Sequence, residues 1–128
     1  MKISIAEAST VFITVADGDL NETVSWLDGS IPGLGDLAFV DNHNITLTAD
    51  RTVDYDISFL GTSTLDLNGH TLTGNGDLNF ENTASIIANR GKLIFTKDGD
   101  QTIGQADFYD VTFAGTGTKT ANVPLTVS

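Results

Sequence analysis

The chain contains no cysteine, one methionine, one tryptophan and two prolines. Without cysteine there is neither a disulfide nor a thiolate ligand for a metal. Basic residues are also scarce. Six Lys and Arg stand against seventeen Asp and Glu, giving a formal net charge of −11 and a pI near 4.1. Phosphate repels a chain this acidic, which argues against nucleic acid and against anionic membranes as partners. No apolar run approaches the ~18 residues that cross a bilayer as a helix. No secretory leader develops either, because Glu7 arrives before any apolar segment forms.

What is present suits strands and turns. Thr, Asn, Asp and Gly are plentiful, and hydrophobic residues make up 40% of a 128-residue chain, enough for one domain with a modest core. The organising stretch runs from Thr64 to Phe95. Short apolar pulses recur there between Gly, Asn and Asp. A shift of 21 residues lays Thr64 on Ser85, Leu65 on Ile86, Leu67 on Ala88, Asn68 on Asn89 and Leu72 on Leu93. A fixed period of this size marks a stacked architecture, because one coil cannot bury its apolar face alone.

The rest of the chain fits the same reading. Thr10 to Val15 is β-branched and reads as a strand, followed by a turn at Asp17-Gly18-Asp19. Ser4 to Ala8 carries a weak helical signal. Residues 19–36 are irregular and Gly-rich, with Trp26 and the reversal Pro32-Gly33-Leu34-Gly35. Trp26, Pro32, Gly33 and Gly35 are therefore expected to build a cap over the open end of the stack, a ring as large as Trp26 closing the apolar cross-section. Val53, Tyr55, Ile57 and Phe59 alternate with polar residues, the pattern of a half-buried strand. Pulses follow through Phe108, Val111 and Phe113 to Val123, Leu125 and Val127. Pro124 lies within that last strand, which places it at an edge or an end. No cap is visible after it, so the last coil is a candidate contact surface. The spacing of six to ten residues leaves no room for βαβ units. The fold expected is all-β, a single-stranded parallel β-helix or β-solenoid. Residues 1–36 form its N-terminal strand and cap, and residues 37–128 its coils, within one compact domain.

Residues with chemical potential have plainer structural readings. Asp54 and Asp56 lie two apart on the expected strand and share a face, as paired acid–base groups or cation ligands would. They read instead as part of a solvated strand surface. Asp17-Gly18-Asp19 and Asp98-Gly99-Asp100 resemble fragments of calcium loops but lack the remaining ligands, so they read as turns. His43 and His70 have no metal-ligand spacing and read as surface residues. Gly74-Asn75-Gly76 and Gly115-Thr116-Gly117 lack the Lys-Ser/Thr of a phosphate loop, and positive φ at turns accounts for them. Asn68 and Asn89, one period apart, are expected to stack and exchange amide hydrogen bonds. No catalytic, cofactor-binding or metal-binding residue is assigned.

Thr10 to Thr48 resembles the glycine-rich opening domain of bacterial surface β-helix proteins and of some phage structural proteins. The resemblance is carried by Val11-Phe12-Ile13-Thr14-Val15, Gly18-Asp19, Trp26, Ile31-Pro32-Gly33-Leu34-Gly35-Asp36 and His43-Asn44-Ile45-Thr46-Leu47. Thr64-Leu65-Asp66-Leu67-Asn68-Gly69-His70-Thr71-Leu72 is similar to the coil motif of the same proteins. The resemblance implies a stackable structural or adhesive module, not an enzyme. The short length, the Met1 start and the missing leader and sorting tail favour a virion protein, a capsid decoration or fibre component. Its expected partners are other virion proteins or itself, as a homotrimer. An extracellular adhesin or glycan-binding module is the alternative, with Tyr55, Phe108 or Tyr109 as an aromatic platform. A polysaccharide-degrading enzyme ranks last, since no acid–base constellation stands out.

Overall fold

The computed structural model describes residues 10–27, 29–81, 83–103, 107–121 and 126–127, with side chains omitted at 102–103, 107–108, 121 and 126–127. The expectations for Ser4 to Ala8, for Val123, Pro124 and Leu125, and for the Phe108 and Val127 side chains lie outside these residues.

The first strand, β1 (Val11–Ile13), is followed by a single 3-10 turn at Thr23–Ser25, the one helical element among the described residues. Three full coils come next, each of three short strands. The first holds β2 (Leu37–Asp41), β3 (Asn44–Thr46) and β4 (Arg51–Val53). The second holds β5 (Asp56–Leu60), β6 (Thr64–Asp66) and β7 (Thr71–Gly74). The third holds β8 (Leu78–Phe80), β9 (Ser85–Ile87) and β10 (Lys92–Phe95). The winding continues through β11 (Gln101–Ile103), β12 (Asp107–Phe108) and β13 (Asp110–Phe113) to β14 (Lys119–Ala121) and β15 (Thr126–Val127).

Corresponding strands of successive coils pair in parallel. One sheet has the order β1-β2-β5-β8-β11-β14, a second β3-β6-β9, a third β4-β7-β10-β13, and β12 pairs with β15. The 21-residue repeat is realised as register: Thr64 lies beside Ser85, Leu65 beside Ile86, and Leu72 beside Leu93. The chain is an all-β parallel β-solenoid.

Every coil turns alternate side chains inward, and these stack along the axis. Ala38, Val40, Ile57, Phe59 and Leu78 come from the first sheet. Ile45, Leu65 and Ile86 come from the second, with Leu47 and Leu67 just beyond its strands, and Val53, Leu72, Leu93 and Phe95 from the third. Register places like on like. Phe59 and Phe80 stack with centroids 4.7 Å apart and planes 7° from parallel, and Phe95 and Phe113 stack at 5.5 Å and 12°. Leu20 and Trp26, from before the first coil, belong to the same continuous core.

The alternation from Val53 to Phe59 is buried as expected, at Val53, Tyr55, Ile57 and Phe59. It does not form one strand. β4 ends at Val53 and β5 begins at Asp56, so Asp54 and Tyr55 make a corner between two sheets. A solenoid corner keeps the inside–outside alternation while the chain bends, so periodicity alone reads through it. Asp54 and Asp56 are therefore not neighbours on a strand face.

Candidate functional site

The polar residues at the corners are used to join coils. Asp56 Oδ1 accepts the Asp77 N–H at 2.8 Å, Asp50 Oδ1 the Thr71 N–H at 2.9 Å, and Asp54 Oδ1 the Asn75 amide at 3.4 Å. Asp17 Oδ1 accepts the Asn44 N–H at 2.8 Å. Asp98 and Asp100 accept the Thr116 and Thr118 N–H groups at 3.2 and 3.0 Å. Asp54 meets a side-chain amide, and each of the other carboxylates meets a backbone N–H of the neighbouring coil. The two Asp-Gly-Asp stretches are thus coil-to-coil clamps at turns.

Asp19 goes further. It is fully buried, and Arg51 grips it with Nε at 3.0 Å and Nη2 at 2.7 Å. The Thr48 N–H and hydroxyl add bonds of 2.9 and 2.6 Å. Burial by itself would raise the Asp19 pKa, but the hydrogen bonds from Arg51 and Thr48 and the Arg51 charge outweigh it and hold the carboxyl at about 2. Hydrogen bonding to Asp19 correspondingly pushes the Arg51 pKa up, against the opposing effect of desolvation. This cluster ties the segment before the first coil to the corner that precedes β4. Sequence reading missed it, because a pair 32 positions apart outside the repeat leaves no periodic signal.

The residues expected to cap the stack lie at its N-terminal end. Trp26 is buried, donates Nε1–H to the Leu20 carbonyl at 3.0 Å, and meets Phe12 edge to face at 6.3 Å. Pro32 is buried. Gly33 and Gly35 are exposed in a turn closed by Asp36, whose Oδ2 accepts the Gly33 N–H at 2.8 Å. Gly35 has φ of 82°. Along the free side of β1, Val15 N–H donates to the Ser25 carbonyl at 2.8 Å and Leu27 N–H to the Ile13 carbonyl at 2.9 Å, with an antiparallel bridge from Thr14 to Trp26.

Asn68 and Asn89 occupy equivalent corners, both in the left-handed region with φ of 49° and 42°. Asn tolerates that conformation better than most side chains. Their amides bond to the preceding coil and not to each other. Asn68 Nδ2 donates to the Leu47 carbonyl at 3.1 Å, and Asn89 Nδ2 to Asp66 Oδ1 at 3.3 Å. Asn68 thus caps a backbone carbonyl of the coil below, and the two corners differ in what the previous coil offers.

His43 is half-buried with Nδ1 2.9 Å from the Thr14 hydroxyl, and His70 is 3.6 Å from Asp50. Among the described residues no group of three or more His, Asp or Glu is placed to hold a metal ion. Tyr55 is buried, so it cannot belong to an exposed aromatic platform; burial, with the charges of Asp19 and Asp54, pushes its hydroxyl pKa up. Tyr109 is 49% exposed.

The glycine pairs divide. Gly115 and Gly117 have φ of 81°, as a positive-φ turn requires. Gly76 has an ordinary φ and is needed for another reason: a Cβ there would lie 2.4 Å from the Tyr55 carbonyl oxygen of the coil below. The clash is with backbone, which cannot swing aside as a side chain can, so Gly76→Ala forces the coils apart. A loss of about 1–3 kcal/mol is expected, read as a lower urea midpoint at unchanged slope. Two buried polar side chains were also not singled out from the sequence. The Ser63 hydroxyl lies against the Val40 and Leu60 carbonyls, and Gln101 Nε2 donates to the Gly74 and Gly76 carbonyls.

At the other end, among the described residues, no strand lies beyond β13, β14 or β15. Phe113 stacks on Phe95 with one ring face and is 43% exposed. Comparison with known families, curated proteins and solved structures finds no match.

Proposed function

We propose that the chain is a non-enzymatic structural module of a phage virion, a capsid decoration or fibre component that docks through subunit contacts. The observation that carries this reading is the regular stack itself, in which successive coils share one continuous core. At the N-terminal end Leu20 and Trp26 join that core, and Ser25 and Leu27 are hydrogen-bonded to Val15 and Ile13 along β1. The corner carboxylates support the same reading, since they are spent on joining coils and do not converge on a groove. The acidic surface keeps such a module away from nucleic acid.

The test is sedimentation of particles from a lysate of the source cells through a density gradient, followed by mass spectrometry. The chain is expected in the particle band at a defined copy number; its presence only among free proteins overturns the reading. A second reading, a glycan-binding module of a bacterial surface protein, is favoured by the exposed Tyr109 ring. It expects binding on a glycan array that Tyr109→Ala abolishes.

A further inference from the structure

We propose that residues 97–100 and 115–118, two turns stacked one on the other, form a binding site for a monovalent cation, and that the chain fills it with its own Lys119 ammonium. The site is internal to the stack and independent of the docking reading above.

Lys119 opens β14 and lies beside Gln101 of β11. Its side chain reaches back to the turn that precedes β11. There Nζ donates to three backbone carbonyls, those of Lys97, of Gly99 at 3.1 Å and of Thr116 at 3.0 Å. An ammonium has three donors, so all of them are spent. Lys92 and Lys97 are held differently. Each pairs with a carboxylate at 3.7 Å, Lys92 with Asp110 and Lys97 with Asp77. Among the described residues no carboxylate lies within ion-pair distance of the Lys119 ammonium.

Three carbonyl oxygens aimed at one point repel each other unless a cation sits between them. The sequence forces them together in two ways. First, Asp98 and Asp100 take the Thr116 and Thr118 N–H groups, at 3.2 and 3.0 Å. Those donors are lost to the carbonyls of the coil below. No other donor among the described residues reaches the Lys97 or Gly99 oxygen. The Thr116 oxygen also accepts the Gly99 N–H at 3.2 Å. Second, glycine lets the turns close. A Cβ at Gly115 would lie 2.6 Å from the Lys97 oxygen, and one at Gly117 2.4 Å from the Gly99 oxygen. The Asp98-Gly99-Asp100 stretch therefore inverts the logic of a calcium loop. Its carboxylates bind N–H groups, and its backbone supplies oxygen to a cation.

The oxygen set selects the ion. Ca²⁺ takes about six to eight oxygens with carboxylates among them, and Mg²⁺ keeps much of its water in a strict octahedron. Carbonyls without a carboxylate suit a singly charged ion that exchanges its hydration shell for them, as K⁺ does. Ammonium suits them equally, since it is the head group already in place.

Lys119→Ala empties the site, and thermal unfolding followed by circular dichroism reads the effect. In tetramethylammonium chloride, whose cation has no N–H donor and is too bulky to enter, the variant is expected to melt about 5 °C or more below the native chain. Ammonium or potassium chloride at equal ionic strength is expected to restore much of that loss. The native chain, with its site full, is expected to melt alike in all three salts. A variant as stable as the native chain overturns the proposal, as does one that melts alike in the three salts or is rescued by calcium alone. Where the variant does not fold in any salt, the native chain supplies the answer. With its three protons held, the Lys119 ammonium is expected to give a ¹H–¹⁵N NMR signal near pH 7, where hydrated lysine ammonium protons exchange too fast to be seen. Absence of that signal also overturns the proposal.

Discussion

Phe59→Ala is expected to destabilise the fold by about 3–5 kcal/mol, measured by urea unfolding. The ring is fully buried at the middle of the stack and lies parallel to Phe80 at 4.7 Å. β5 pairs with β2 on one side and β8 on the other. In a stack where each coil touches only its neighbours, stability is a sum over interfaces. Truncating Phe59 opens a void that weakens two of them. Neighbouring coils cannot collapse into it easily, because the backbone hydrogen bonds fix their separation near ~4.8 Å. Phe113 stacks on Phe95 but is 43% exposed, so Phe113→Ala serves as the internal comparison and is expected to cost less.

Arg51→Ala is expected to cost a similar amount, about 3–5 kcal/mol, for a different reason. It leaves the Asp19 carboxylate fully buried with only Thr48 to satisfy it. Arg51→Ala with Asp19→Ala removes the stranded charge as well. The double variant is expected to be more stable than Arg51→Ala alone, as a double-mutant cycle will read. The same pair gives a pH dependence. Folding lowers the Asp19 pKa from 3.8 to about 2. Its contribution, about 2 kcal/mol, is complete above the unfolded value. It declines as pH falls from near 4 through about 2 and vanishes below that. Asp19→Asn should flatten this part of the acid unfolding profile.

The coils were legible because burial imposes a rule on every turn of the stack. The match of Thr64 to Ser85 and Leu72 to Leu93 in sequence became strand register, since a one-residue slip would turn each inward side chain outward. Corners were less legible. The alternation through Tyr55 continued unbroken while the chain changed sheets, so Asp54 and Asp56 looked like one strand. Gly76 looked like a turn glycine, although its constraint lies in the coil below and leaves no mark on its own neighbours. Asn68 and Asn89 suggested a ladder because they lie one period apart, but their partners depend on the carbonyl and carboxylate beneath them. Asp19 and Arg51 were invisible to period counting, because their contact is made once and not repeated.

The parallel stacking has a mechanical consequence. Tension applied to the two ends along the axis meets the coil-to-coil hydrogen bonds nearly in line with the pull. Coils would then be lost one at a time, each releasing about 20 residues or roughly 70 Å of chain. Resistance would be set by the weakest single interface, however many coils are added. A load spread along the side of the stack is instead shared among the coils. A fixture built from this chain is therefore strong when held from the side and weak when hung by its ends.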